Sequence, residues 1–150
     1  MKVCLITPPS SFLLDERVFM SLGILQVGAA LKQLGHQVDH LDLSGVKNYE
    51  DVIRSYQGGA DAFGITATSP QMPAATKIAA TLDSTARYPH KKERIILGGP
   101  HATLAQAAFR RELAFGVEDG RAGAEMLRLH QRFDVLVAGD GQKAIEQALT

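Results

Sequence analysis

The sequence predicts an α/β fold, a five-stranded parallel sheet with helices on both faces, from three observations. Five short apolar runs, at 3–6, 38–43, 61–66, 94–97 and 134–138, are separated by stretches in which apolar residues recur at steps of three and four. Strands that alternate with helices in this way pair in parallel, because each helix carries the chain back to the same end of the sheet. The chain has 150 residues, 45% hydrophobic and 21% charged, which is enough for one domain over 1–150 with a sizeable core and no staple.

The first run, Val3 to Ile6, is closed by Thr7-Pro8-Pro9 and reads as a buried strand, with a long mixed loop from Ser10 to Met20 behind it. Ile24, Val27, Gly28, Leu31 and Leu34 then fall at helical spacing, with Ser21 as the expected cap and Gly35 as the stop. The second run, Val38 to Leu43, carries Asp39, His40 and Asp42, a polarity that suits a sheet edge. A short helix over 48–56 is expected to end at Gly58-Gly59. After the third strand, Asp61 to Thr66, Met72, Ala75, Ala79 and Leu82 mark a helix with Pro73 in its first turn. The fourth strand, Arg94 to Leu97, stops at Gly98-Gly99-Pro100, and the stretch from Thr103 to His130 is helical with a break expected among Gly116, Gly120 and Gly123. Asp134 to Ala138 is the fifth strand, and Gln142 to Leu149 a last helix. Right-handed crossovers and a polar second strand at the edge are both satisfied by the order 2-1-3-4-5, a Rossmann/flavodoxin-like arrangement.

Charge and cysteine content exclude several functions. Sixteen basic residues balance sixteen acidic ones, so the positive footprint of a general nucleic-acid binder is missing. Cys4 is the sole cysteine, which rules out an internal disulfide, a Cys-based zinc site and a three-cysteine iron–sulfur cradle within these residues. No run approaches the ~20 apolar residues of a membrane span. We expect no nucleic-acid or membrane partner and a cytoplasmic setting.

In such sheets ligands bind outside the carboxyl ends of the strands, where the strand order reverses. The loops expected there are 7–20, 66–73, 98–103 and 138–141, all rich in Gly, Pro, Ser or Thr, whereas Lys91-Lys92-Glu93 at the opposite end reads as solvated. Several common occupants are disfavoured. There is no GxGxxG after the first strand, and Pro8 and Pro9 remove two amides that a pyrophosphate or flavin phosphate would use. No P-loop is present, and a phospho-accepting aspartate is missing where Thr66 ends the third strand.

The remaining motifs resemble those of the cobalamin-binding domain found at the N-terminus of many cobalamin-dependent radical-SAM enzymes. They are Pro8-Pro9, Ser21-Leu22-Gly23-Ile24-Leu25, the run Ala30 to His36, Asp61-Ala62-Phe63-Gly64-Ile65-Thr66, Leu97-Gly98-Gly99-Pro100-His101-Ala102-Thr103, and the close from Asp134 to Gly141. Residues 110–132 match least well. The resemblance implies that a corrin lies over the strand ends while its nucleotide tail enters the sheet. It implies cofactor contacts from Thr66, Ala67, Thr68, Gly98, Gly99, Pro100, His101, Gly139, Asp140 and Gly141, with Ser10 and Ser11 in the loop below. Gly98 and Gly99, lacking Cβ, would leave the slot for the tail.

The chain departs from the family pattern in two places. No histidine here has Asp two before and Gly three after, as the D-x-H-x-x-G motif of cobalt-ligating relatives requires, so cobalamin is expected base-off with no histidine on cobalt and no protein metal ligand. The lower face is then left to water or to non-ligating side chains of the loop from Ser10 to Met20, with Asp15 and Arg17 as candidates. The CxxxCxxC of radical-SAM chemistry is also missing, so a 4Fe-4S cluster, S-adenosylmethionine and the catalytic domain are expected in cis beyond residue 150, most simply for methyl transfer to an unactivated carbon. Two other readings stand beside this one: a fold-retaining domain without cofactor that docks or gates a partner, and a free-standing cobalamin carrier. Blander readings also stand for single residues. Cys4 is read as a small core hydrophobe and His40 as solvent-facing. His101 is divided between cofactor contact and turn support, and Gly98-Gly99-Pro100 can simply turn the chain.

Overall fold

A computed structural model describes residues 1–150 apart from 19, 57–58 and 86–92, so Gly58, Lys91 and Lys92 lie outside the described residues. Five strands, β1 (Lys2–Thr7), β2 (Gln37–Asp42), β3 (Ala62–Thr66), β4 (Arg94–Gly98) and β5 (Val135–Leu136), form one all-parallel sheet in the order β2-β1-β3-β4-β5. The positions follow from composition. Val3 to Ile6 of β1 are buried and paired on both sides, whereas β2, with its acidic and imidazole side chains, takes an edge. At the other edge β5 is shorter than the sequence predicts. Its pairing continues past the regular pair through Asp134 N–H to Ile95 O and Val137 N–H to Leu97 O, each 2.8 Å.

Among the described residues, six α-helices accompany the strands: α1 (Leu22–Gln33), α2 (Tyr49–Ser55), α3 (Met72–Ser84), α4 (Pro100–Ala114), α5 (Arg121–Arg132) and α6 (Gly141–Leu149). Period-two alternation along the strands divides the core in two. Cys4, Ile6, Phe63, Ile65, Ile95 and Leu97 point toward α2, α3, α4 and α5. Val3, Leu5, Ala62, Ile96 and Val137 point toward α1 and α6, meeting Ile24, Leu31 and Ile145.

Two local readings change. Gly98-Gly99-Pro100 does not merely bend the chain: α4 starts at Pro100, whose missing N–H and fixed φ suit the first turn of a helix. The break before α5 falls between Ala114 and Arg121, and Gly123 lies within α5. The α5 amides Ala122 N–H and Gly123 N–H donate to the Glu112 carboxylate at 2.9 Å, so α4 caps its neighbour. Ser21 stands at the N-cap position of α1 without a side-chain capping bond. Among the described residues, no helix is long and apolar enough to cross a membrane.

Candidate cofactor site

A cavity of about 260 Å³ opens at the carboxyl ends of the strands, on the face covered by α1 and α6. Leu5, Gly64 and Ile96, neighbours across the sheet, form its floor with Val137, which follows β5; Ile24 and Val27 of α1 and Ile145 of α6 form its walls. Thr66, Gly98, Gly99, Pro100, Gly139 and Gly141 stand around the rim. The site spans β1 and β3, the pair where strand order reverses.

The space exists because side chains are missing from one face of the strands. A Cβ on Gly64 would lie 2.9 Å from Leu5 Cδ2, so any larger residue would displace the Leu5 side chain that forms part of the floor. At Gly98 a Cβ would meet only Val137, at 3.8 and 3.9 Å, so a side chain there would fit and fill the slot. Gly99 is required for a different reason. Its φ of +94° is one that L side chains rarely adopt, and a Cβ there would come within 2.7 Å of Thr66 Oγ1 and 2.8 Å of Ala67 N. That close approach clamps the turn after β4 against the turn after β3, with Ala67 N–H donating to Gly98 O and His101 N–H to Ala67 O.

Six of the twelve residues singled out from the sequence therefore line the cavity: Thr66, Gly98, Gly99, Pro100, Gly139 and Gly141. The other six do not line it. Ala67 is buried under the rim. The Thr68 amide and hydroxyl both donate to Gln71 Oε1, at 2.9 and 3.0 Å. His101 has both ring nitrogens engaged, Nδ1 with Ser69 Oγ at 2.9 Å and Nε2 with Glu125 Oε1 at 3.0 Å, so it links the turn after β3 to α5. Asp140 caps α6 by accepting from Gln142 N–H, and Lys143, 3.3 Å away, holds its carboxyl below the ordinary carboxylate range. The Ser10 hydroxyl accepts from Gln71 Nε2 at 2.7 Å, and Ser11 is exposed.

Gln71 is the residue that sequence reasoning passes over. Buried, it donates from Nε2 to Pro8 O and Ser10 Oγ and accepts at Oε1 from Thr68, so one amide ties the loop after β1 to the turn after β3. Its signal in the sequence is a capping box, Thr68-x-x-Gln71. Glu16 escapes sequence reasoning as well. Its carboxylate accepts from Ser10 N–H and Gly45 N–H, the latter a link across 29 residues that no local pattern announces. Cys4 sits away from the cavity among the packed core residues, and burial pushes its thiol up to about 12.

A family model for the B12 binding domain matches residues 16–130. The chain belongs to the B12-binding domain family. The match covers the strands and helices from α1 to β4 and most of α5, while Gly139, Gly141 and Ile145, which close the cavity on its α6 side, follow the matched stretch. No curated protein matches the chain at a significant level. The cavity's chemistry fits the family's cofactor. Among the described residues, no charged side chain and no histidine lines it, and its glycine-walled apolar slot suits a flat, neutral heteroaromatic base better than a phosphate.

Proposed function

We propose that this B12-binding domain holds cobalamin base-off, with the nucleotide tail threaded into the cavity between α1, α6 and the sheet, and presents it to a radical-SAM domain that methylates an unactivated carbon. The observation that carries the binding mode is the cavity itself, placed at the switch point, with Gly64 in its floor and Gly98, Gly139 and Gly141 at its rim, and free of charged side chains among the described residues. No described histidine lines that cavity, and no D-x-H-x-x-G motif occurs in the chain, which supports a cobalt without a histidine ligand. The partnership with a radical-SAM domain rests on the Gly98-to-Thr103 segment and the motifs in series with it, which resemble those of such enzymes.

When bound, cobalamin supplies the methyl-carrying chemistry, and the protein supplies binding and orientation. Leu5, Ile96, Val137 and Ile145 offer apolar contact to the tail and exclude water from it. The Thr66 hydroxyl stands at the rim, a polar group within reach of a tail that enters on the β3 side. Gln71 and the Gly99 clamp hold the two rim turns in register, so the slot is formed before the ligand arrives and less ordering is needed on binding.

The test is to mix the full chain with excess hydroxocobalamin, desalt it and record the visible spectrum of what stays bound. Stoichiometric pigment with a base-off spectrum and no histidine ligation is expected. A histidine-ligated spectrum would contradict the binding mode, with His101 and His40 the first residues to substitute. Absence of retained pigment, here and in a longer chain carrying the next domain, would favour a docking module that keeps the fold without the cofactor.

A further inference from the structure

The cavity changes in chemistry from mouth to floor. Among the described residues, Ser21 and Thr66 are its only lining side chains with a polar atom, and both stand toward the mouth. Thr66 ends β3, two residues and about 6–7 Å beyond Gly64 of the floor. Ser21 precedes α1, one turn before Ile24, and its hydroxyl makes no capping bond to the helix. Deeper in, the side chains of Leu5, Ile24, Val27, Ile96 and Ile145 are hydrocarbon alone. The backbone at that depth is already engaged. Leu5, Gly64 and Ile96 lie opposite one another inside the parallel ladder, and Val27 and Ile145 lie within helices. A hydrogen-bonding group carried down to the floor therefore loses water and gains no partner.

We infer that the cavity sorts cobamides by their lower base, taking the benzimidazole class and discriminating against the purine class. The inference rests on the proposed seating of the nucleotide tail and narrows its chemistry. Both kinds of base are flat bicycles of similar size, so shape does not separate them. The five-membered ring is common to both and carries the ribose, so it stays nearest the mouth and the six-membered ring goes deepest. In 5,6-dimethylbenzimidazole the leading edge is C–H and methyl, which matches Leu5, Ile96 and Ile145. In adenine the same ring brings two ring nitrogens and an amino group, each unpaired against that floor. An apolar pocket rejects a polar analogue of similar size by a factor on the order of 10², so a discrimination of roughly 10–100-fold is expected.

The experiment measures by ultrafiltration the affinity of the full chain for three ligands: cobalamin, adeninylcobamide (the same cofactor with adenine as its base) and cobinamide, which has no base. All three are held reduced at cobalt(I), where the metal binds no base, so the tails alone are compared. Cobalamin should bind roughly 10–100-fold more tightly than adeninylcobamide. Ile96→Thr and Ile96→Val, which differ by a hydroxyl in place of a methyl, separate polarity from space. Ile96→Val should lower both affinities together and keep their ratio, whereas Ile96→Thr should narrow the ratio by several-fold. Ile145→Gln, on the opposite wall, should narrow it as well and serves if Ile96→Thr fails to fold. Equal affinity for cobalamin and adeninylcobamide, both above cobinamide, would overturn the inference and leave the seating of the tail intact. A ratio that stays the same in Ile96→Thr and Ile145→Gln as in Ile96→Val would overturn the assignment of the floor as the selecting surface. A chain that holds cobalamin no more tightly than cobinamide would overturn the proposed function beneath the inference.

Discussion

The two faces of the central sheet are built by the same strands, yet one is filled and the other is hollow. Toward α2, α3, α4 and α5, successive strands present Ile6, Phe63, Ile65 and Leu97, and the layer is closed by Phe133 and Leu129. Toward α1 and α6 the same strands present Leu5, Gly64, Ile96 and Gly98, and the carboxyl end of that layer is the cavity. Adjacent residues of one strand thus have opposite tasks: Leu97 is fully buried in the packed layer, while its neighbours Ile96 and Gly98 border empty space. The packed face supplies the stability that allows the other to forgo contacts, and the site is where contacts have been left out.

The sharpest way to break that comparison is to truncate on either side of it. Leu97→Ala should cost about 3–5 kcal/mol in denaturant unfolding, because the packed layer leaves a cavity behind, while Ile96→Ala should cost nearer ~2 kcal/mol, since its surroundings are already open on one side. Equal losses would mean that the hollow face is not hollow in solution. Filling the slot is the converse. Gly98→Val should weaken cobalamin binding by roughly 10–100-fold, about 1.4–2.8 kcal/mol, with little loss of stability, because a Cβ there meets Val137 only at ordinary contact distance and the side chain would occupy the space proposed for the tail. Gly64→Ala should act more weakly in the same direction by displacing the Leu5 side chain of the cavity floor.

The loop framework comes next. Gln71→Ala removes bonds to Pro8 O, Ser10 Oγ and Thr68 at once, and should cost about 1–3 kcal/mol while lowering cofactor retention, measured by unfolding and by titration on the same sample. The smallest effect belongs to the β2 edge, where Tyr56 donates to Asp39 and Lys2 lies 3.1 Å from the same carboxylate. The Tyr56 hydroxyl, followed by Lys2, holds the Asp39 carboxyl below its ordinary value, so this contribution is present above the carboxylate range and lost as pH falls through the depressed value. Tyr56→Phe should cost about 1 kcal/mol near neutral pH, given the partly exposed carboxylate, and should flatten the acid limb of the stability profile. An unchanged acid limb would show that the pair contributes nothing to the pH dependence.

How much of the fold and site is legible in the sequence depends on the range of the interactions. Strand order is readable because β2 carries Asp39, His40 and Asp42 and the other runs are apolar, and polarity at an edge is a local property. The rim glycines are readable as well, since Gly98-Gly99-Pro100 and Gly139-x-Gly141 are short motifs with few physical uses. The floor is not. Gly64 reads in sequence as one more residue of an apolar strand, and its role emerges only once Leu5 stands opposite it in register. His101 has the right type and place for a ligand contact, but its direction is set by Ser69 and by Glu125 from an element 24 residues away. Glu16 and Gly45 meet across 29 residues for the same reason, through the return of the chain from β2.

We propose that the hollow face receives the nucleotide tail. Equilibrium titration of the chain with cobalamin and with cobinamide, the same corrin lacking the nucleotide, tests it most directly. Cobalamin should bind at least about tenfold, or ~1.4 kcal/mol, more tightly than cobinamide, with Gly98→Val erasing the difference. Equal affinity for the two in the wild-type chain would contradict the claim, and would place whatever holds the corrin outside the cavity.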